Sequence, residues 1–400
     1  MKENQLRPKV SVLFVCVMAG LMSLVALSID TVLPAMGFIR NKFNVFADDG
    51  HWILTSLFIG LSAGQLIFGP ISDTIGRKRT VYVGVLIFTV GSLISFFASG
   101  YFTFILGRII QGFGVAAPRI VSQAIIRDVV SGPQMARLNS FVMTVFIVVP
   151  VFAPILGQLI IWTTDWSFIF IALIVYCFTL SLIFIVSVQE TLHNPRKLDL
   201  KTVWRGASEV LSNKTTFALT IALGCVFGCL ISFLNIAQPL YQEVYGVGDK
   251  FSFYFAGTAI IIGMASLFNA RLVSIFSLNT IVSYSLIWVF FWSLIFLVVI
   301  IYTNALSLSG FLIFSILVFT TFGFMFSNLN ALALEPMGHI AGTASAVIAT
   351  VSNIIAISIG ATSSYFFTDN AKPLITVFVI ASFTVILTTT MVKIFSVRFE

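Results

Sequence analysis

The chain has 400 residues, of which 58% are hydrophobic and 9% charged, and its mean hydropathy is +1.06. A water-facing domain carries roughly 25% charged residues to solvate its surface, so this composition excludes a soluble globule and makes lipid the solvent. The formal net charge of +7 is explained below by the side of the membrane on which the bases fall, and calls for no nucleic-acid partner.

A membrane span needs ~20 apolar residues. Polar punctuation divides the chain into twelve such runs, at 10–35, 51–72, 80–99, 101–126, 136–161, 166–188, 215–239, 250–273, 279–301, 307–333, 340–366 and 373–395. Their length and lack of period-2 alternation argue against the strands of a membrane barrel. The expected fold is therefore an all-α polytopic membrane protein of twelve transmembrane helices in two six-helix bundles. Met1 to Lys9 is a short basic tail, and the run after it is too long for the apolar part of a cleaved signal, so it reads as the first span.

The first span carries Asp30, followed by Pro34. An ionisable side chain in hydrocarbon costs at least ~2.5–3.5 kcal/mol on insertion scales and is a functional candidate by default. Asp30 is the acid well inside a span, placed to hold and release a proton; a permanent ion pair or an interfacial position is the alternative. The second span runs into a framed basic loop, Gly69, Asp73, Gly76, Arg77, Lys78 and Arg79. Gly76 permits a tight reversal, and Asp73 is placed to face a helix N-terminus. Span four holds Arg108 and Arg119. Eleven residues at ~100° each return within ~20° of the same face, with Gln111 near that stripe. Pairing of Arg108 with Asp30 is expected from their similar depth. Arg119 can meet an anionic group of a substrate or bond backbone carbonyls.

Span five contains Pro150, Pro154 and Gly157. The polar stretch from Gln189 to Lys214 mixes bases with Leu198, Leu200, Val203 and Trp204, as a segment lying on a leaflet does. It divides the chain into an N-terminal bundle at 1–188, a linker at 189–214 and a C-terminal bundle at 215–400. Asn235 and Gln238 in span seven and Asn328 in span ten, together with Gln111 and Arg119, are candidates for lining a central cavity. Buried amides in membranes also bond helix to helix. Glu335 closes span ten, as a second proton site or a solvated interfacial acid. Cys16, Cys177, Cys225 and Cys229 lie in apolar runs with no neighbouring ligand set, as core residues do.

Sixteen of the 22 Lys and Arg residues fall on the side of the N-terminus, four (Arg40, Lys42, Lys250, Lys372) on the other, and Arg108 and Arg119 inside a span. By the positive-inside rule both termini are cytoplasmic.

The loop from Gly69 to Arg79 resembles the signature between spans two and three of the major facilitator superfamily, G-x-x-x-D-x-x-G-R-[KR]-[KR]. The segment Leu106 to Gly114 is similar to that family's span-four motif, whose arginine is associated with proton coupling. Pro150 to Gly157 is similar to its span-five antiporter motif, departing from it at Ala153 and Gln158, where glycines are typical. Asp30 with Pro34, Arg127 with Asp128, Ala331 to Pro336 and Gly342 to Ala346 resemble the bicyclomycin/chloramphenicol resistance branch of the drug:proton antiporters. The resemblance implies a monomeric transporter of the bacterial inner membrane. It would export small hydrophobic or amphipathic compounds in exchange for protons, powered by the proton gradient with no cofactor. In that scheme Asp30 and Arg108 couple protons, and Asp73 meets the start of span eleven near Ala341 to Ser345 when the cytoplasmic side closes. A siderophore or metabolite exporter and an uptake symporter share the fold. A membrane-embedded enzyme would need a nucleophile or acid–base constellation within spans, whereas His51, His193 and His339 lie at span ends or in loops. A static pore would give the Asp73 loop no role.

Overall fold

The computed structural model describes residues 11–46, 49–130, 132–192 and 200–397, and the side chains among these except at 132–147, 200–203 and 391–397. The helices are α1 (Val12–Asp30), α2 (Met36–Phe43), α3 (Trp52–Ile75), α4 (Arg77–Phe96), α5 (Tyr101–Val129), α6 (Gly132–Thr163) and α7 (Phe168–Ser187) in the first half. A short helix α8 (Leu200–Ser212) leads into α9 (Lys214–Gln238), α10 (Phe251–Leu272), α11 (Leu278–Thr303), α12 (Leu308–Leu334), α13 (Ala341–Tyr365) and α14 (Lys372–Val397). No strand occurs among the described residues. Among the described residues ten helical stretches are long and apolar enough to span a membrane. One of them, Leu308–Tyr365, contains both α12 and α13, and α6 adds the shorter apolar stretch Val148–Thr163. The twelve expected spans are thereby accounted for, with ends within a few residues of the hydropathy boundaries.

The first span departs from expectation. It is not one helix to residue 35: α1 stops at Asp30, a 3-10 turn covers Leu33–Ala35, and α2 carries the chain on to Phe43. Pro34 explains the break, because it has no N–H for the Asp30 carbonyl and its ring crowds the preceding turn. The seventh span ends comparably, in a π-helical turn over Pro239–Val244.

Within the first half α1 packs on α5, α6 and α7, α3 on α5, and α4 on α5 and α7; in the second, α9 packs on α12, α13 and α14, α10 on α12, and α11 on α12 and α14. The halves meet through α3 with α13 and α6 with α10. Large apolar side chains such as Leu86, Val186 and Tyr302 point outward, 65%, 88% and 83% exposed, as a surface solvated by lipid requires.

Small residues set how closely helices approach. A Cβ placed on Gly60 of α3 would lie 1.9 Å from the Ile109 carbonyl oxygen of α5, and one on Gly112 of α5 would lie 2.0 Å from that of Leu57. Gly91 and Gly107 bring α4 and α5 together in the same way. In the second half Gly323 of α12 likewise meets main chain, with a Cβ there 2.5 Å from the Ile262 carbonyl oxygen of α10. Between α9 and α13 the contacts are instead with side chains: Gly224 and Gly228 of α9 face Ile355 and Ile359 of α13, and Gly360 faces Ile231. The helix α8 docks through Gly206 against Thr343 at the start of α13, and Glu209 meets His339 at 2.6 Å. Its Trp204 and Leu211 stay exposed, as expected of a segment lying on a leaflet.

Candidate functional site

The break in the first span organises its buried charges. Val32 donates to the Ile29 carbonyl at 3.3 Å, one residue short of the α-helical partner Ser28. The Ser28 carbonyl released by this tightening accepts from Arg108 Nη2 at 3.1 Å. Arg108 Nε donates to the Ile53 carbonyl at 3.1 Å and Nη1 to Gln111 Oε1 at 2.6 Å. Gln111 Nε2 in turn donates to Ser92 Oγ at 2.9 Å. One fully buried guanidinium thus fastens α1, α3 and α5, and reaches α4 through Gln111. The expected ion pair with Asp30 is absent from the described interactions: Arg108 is spent on carbonyls and an amide. Asp30, 5% exposed, keeps its carboxyl outside that network. Gln111, expected as a cavity residue, is a structural linker. Arg119 lies half-buried farther along α5, just past Pro118.

Gly157 of α6 abuts the same break, where a Cβ would sit 2.1 Å from the Thr31 carbonyl oxygen and 3.1 Å from Pro34 Cγ. One turn earlier, the Pro154 carbonyl accepts from Ser252 Oγ of α10 at 3.2 Å. Pro154 is buried and Pro150 half-buried. The proline–glycine segment of span five therefore touches the residue after Asp30 on one side and the opposite half on the other.

The basic loop forms a charge cluster. Arg77 Nη1 donates to Asp73 Oδ1 at 2.5 Å and to Ser72 Oγ at 2.7 Å, and its Nε donates to Asp128 Oδ2 at 3.0 Å. Thr191 Oγ1 joins the same Asp128 oxygen at 3.0 Å. Gly76 has φ of 106°, and a Cβ there would press within 2.8 Å of Glu190 Oε2. The Glu190 carboxylate accepts from the backbone N–H groups of Arg77 and Lys78, each at 3.0 Å. It caps the start of α4, where the helix dipole favours an anion. The cap expected of Asp73 is thus made by Glu190, while Asp73 pairs with Arg77. Lys78 Nζ bonds the Ile185 carbonyl at 3.0 Å, and Arg79 is exposed. Sequence reasoning missed Glu190 as a functional residue; its signal is an acid directly after span six, on the same membrane side as the loop.

Partial burial pushes the Glu190 carboxyl up, but donation from the N–H groups of Leu192, Lys78, Arg77 and Thr191 outweighs it and holds the group below the ordinary glutamate range. Glu190→Ala is expected to cost about 1 kcal/mol, as loss of a helix cap does, and to lower the melting temperature. A carboxyl whose folded pKa is depressed stabilises at pH above its unfolded value, and that stability is lost as pH falls through the folded value. The gap between native and Ala variant should therefore shrink in acid; a gap that widens there would refute the cap.

The two ends of the molecule differ. Asp73 has a side chain 46% exposed, and Gly69, Gly338 and Gly342 have open space where a Cβ would project. Among the described hydrogen bonds and ion pairs Asp73 is joined to Arg77 and not to the start of α13. At the opposite end the halves are joined by an ion pair between Arg40 and Glu243 and by Trp162 Nε1 donating to Asp249 Oδ2 at 3.2 Å. Nearer the middle, Phe58 meets Phe227 edge-on at 5.8 Å, Thr350 Oγ1 reaches the Ser62 carbonyl at 3.5 Å, and Asn353 Nδ2 reaches Gln65 Oε1 at 3.4 Å.

The remaining amides separate by environment. Asn328 exchanges hydrogen bonds of 3.1 and 3.0 Å with Asn269 of α10, so it ties helices rather than facing a cavity. Asn235 and Gln238 line a cleft at the closed end with Met36, Arg40, His51 and Phe367. Glu335 is exposed in a 3-10 turn, Glu335–Ile340, as an interfacial acid would be. Cys177, Cys225 and Cys229 are buried, and Cys16 is exposed.

The family model of the Major Facilitator Superfamily matches residues 18–361. A relative in Bacillus subtilis (strain 168), the uncharacterized MFS-type transporter YdgK, is 27% identical over 328 residues, 80% of this chain and 81% of that protein. A bicyclomycin resistance protein homolog of Haemophilus influenzae is 28% identical over 373 residues, 92% of each chain. The multidrug resistance protein MdtL of Klebsiella pneumoniae is 27% identical over 54% of this chain and 55% of its own. The crystal structure of a D-xylose-proton symporter superposes with a TM-score of 0.71 at 15% identity, covering 96% of this chain and 97% of that one; it speaks to the fold alone.

Proposed function

As a member of the major facilitator superfamily, to which its sequence belongs over residues 18–361, this chain is a multi-pass membrane transporter, and we propose that it exports small hydrophobic or amphipathic compounds in exchange for protons. The relatives' names attribute bicyclomycin and multidrug resistance to those proteins, and that class of cargo is carried over here as part of the proposal. In this proposal the protein is a monomer of a bacterial inner membrane, as the family likeness implies, and the distribution of its bases supports cytoplasmic termini.

The observation that carries proton exchange is the position of Asp30. It is a buried carboxyl at the end of α1, outside the Arg108 network and one residue from the Thr31 contact with Gly157. Taking up a proton there changes the charge at a helix break that α6 touches directly. The helix α6 also reaches the other half through Ser252 and Pro154. Protonation thus acts on an element that spans the interface, which is what coupling between two sites requires.

In the proposed orientation the open Asp73 end faces the cytoplasm and the Arg40–Glu243 end is sealed, a state ready to load cargo from inside. Rocking the bundle at 1–188 against that at 215–400, joined by the linker at 189–214, would bring Asp73 to the start of α13 and part Arg40 from Glu243. The test is purified protein in liposomes carrying a pH-sensitive dye, challenged with a panel of amphipathic drugs under an imposed pH gradient. Drug flux with opposite proton flux is expected; uphill drug movement unaffected by collapsing the gradient would overturn the reading.

A further inference from the structure

Where the tips of spans one and seven meet, four buried polar atoms have no hydrogen-bond partner among the described residues: Arg40 Nε, both amide atoms of Asn235, and Gln238 Oε1. Asn235 is 4% exposed and Gln238 is 2% exposed, and all three residues line one cleft. Leaving such atoms unpaired costs roughly 1–3 kcal/mol each, so a buried cluster of them calls for an occupant. The cleft holds about 10 Å³ of free space in this closed arrangement, the room of one water molecule. Its apolar walls are Met36, Ile236, Pro239 and Phe367. Two devices hold it shut. Arg40 pairs with Glu243 across the halves, and Gly37 lets α2 approach Gln238, whose Nε2 would lie 3.1 Å from a Cβ there.

We infer that this cleft, once the tips part, is a binding subsite for an uncharged ligand group that both donates and accepts hydrogen bonds, a carboxamide or a hydroxyl on an apolar body. The inventory of the site sets that class. Arg40 Nε and Asn235 Nδ2 offer donors, and Asn235 Oδ1 and Gln238 Oε1 offer acceptors. A group with acceptors only would leave the two acceptors unmatched. A carboxylate, which only accepts, fails on the same ground, and a cationic group would face the Arg40 charge once Glu243 has moved away. Asn235 and Gln238 are then specificity-determining residues at the mouth by which cargo leaves. The inference rests on the transport reading for its physiological meaning, but the binding itself needs no gradient.

The test uses the full chain in lipid nanodiscs and three probes of similar size: benzamide, methyl benzoate, which lacks the donor, and benzylammonium, which carries a charge. The native protein is expected to bind benzamide at least about tenfold tighter than either of the others, the worth of one matched buried hydrogen bond. Asn235→Leu and Gln238→Leu should each level the three affinities. Asn235→Leu removes two unpaired buried atoms, so it should melt no lower than the native protein; if it fails to fold, Gln238→Leu decides. A benzamide preference that survives both variants, equal binding of the three probes by the native protein, or no binding of benzamide would each overturn the subsite. Proton–drug exchange in liposomes is read separately. A native protein that exchanges drug for protons but shows no benzamide preference condemns the subsite alone, and one that prefers benzamide but exchanges nothing condemns the transport reading alone.

Discussion

Replacing Asp30 with Asn should abolish drug export driven by a pH gradient, down to the level of protein-free liposomes, while passive counterflow of drug at equal pH persists. The substitution keeps the shape and hydrogen-bonding reach of the side chain and removes only its ability to exchange a proton. The fold should tolerate it, because nothing in the Arg108 network leans on Asp30: the guanidinium is held by Ser28, Ile53 and Gln111. Removing a buried carboxylate without a described counter-ion relieves a cost rather than imposing one. The contrast is Arg108→Leu, which would strand two carbonyls and an amide oxygen in the bundle at about 1–3 kcal/mol each and should reduce yield of folded protein. The deciding measurement is uphill drug accumulation by Asp30→Asn protein of native melting temperature. If it still concentrates drug against a gradient, the proton site lies elsewhere.

Gly112→Val should prevent the first half from assembling. A Cβ at Gly112 would lie 2.0 Å from the Leu57 carbonyl oxygen and 3.0 Å from Leu57 Cα, and the reciprocal approach at Gly60 is equally close. Overpacking of a core ordinarily costs about 1–3 kcal/mol because side chains can shift aside. Here the obstacle is the backbone of α3, so the two helices must separate, and the Arg108 bond to the Ile53 carbonyl is pulled apart with them. The expected outcome is loss of monodisperse protein, or a sharply lowered melting temperature. Gly257→Ala, where a Cβ would meet nothing within 4 Å, serves as the control and should behave as native. A Gly112→Val protein that melts like the control would show that α3 and α5 are not seated as described.

The topology could be read from residue order because hydrocarbon imposes a crude rule: backbone must be helical and side chains apolar for the width of the membrane. Span ends were therefore found to within a few residues, and Asp30 and Arg108 stood out as charges in an apolar run. What one-dimensional reading cannot supply is which of several adequate partners a buried polar group takes. Arg108 chose carbonyls over Asp30 because Pro34 had tightened the turn and released Ser28, a consequence visible only in the helix geometry. Asn328 was taken by Asn269, 59 residues away, and Gln111 by Ser92 and Arg108. Glu190 escaped notice because its work is done on the backbone of Arg77 and Lys78, which has no side-chain signature. The Arg40–Glu243 pair joins residues 203 apart, a separation that no local pattern signals.

The different packing of α3, α4 and α5 on one side and of α9 and α13 on the other bears on how such a protein can change its cargo. In the first half α3, α4 and α5 touch main chain to main chain at Gly60, Gly91 and Gly112, leaving nothing to trim or enlarge. In the second, α9 and α13 meet through the isoleucines at 231, 355 and 359 resting on glycine, and an isoleucine can be shortened to valine or reshaped to leucine without disturbing a helix axis. Under selection for a new compound, tolerated substitutions should gather along α9 and α13, while α3, α4 and α5 remain a fixed frame against which each new variant still couples to the proton.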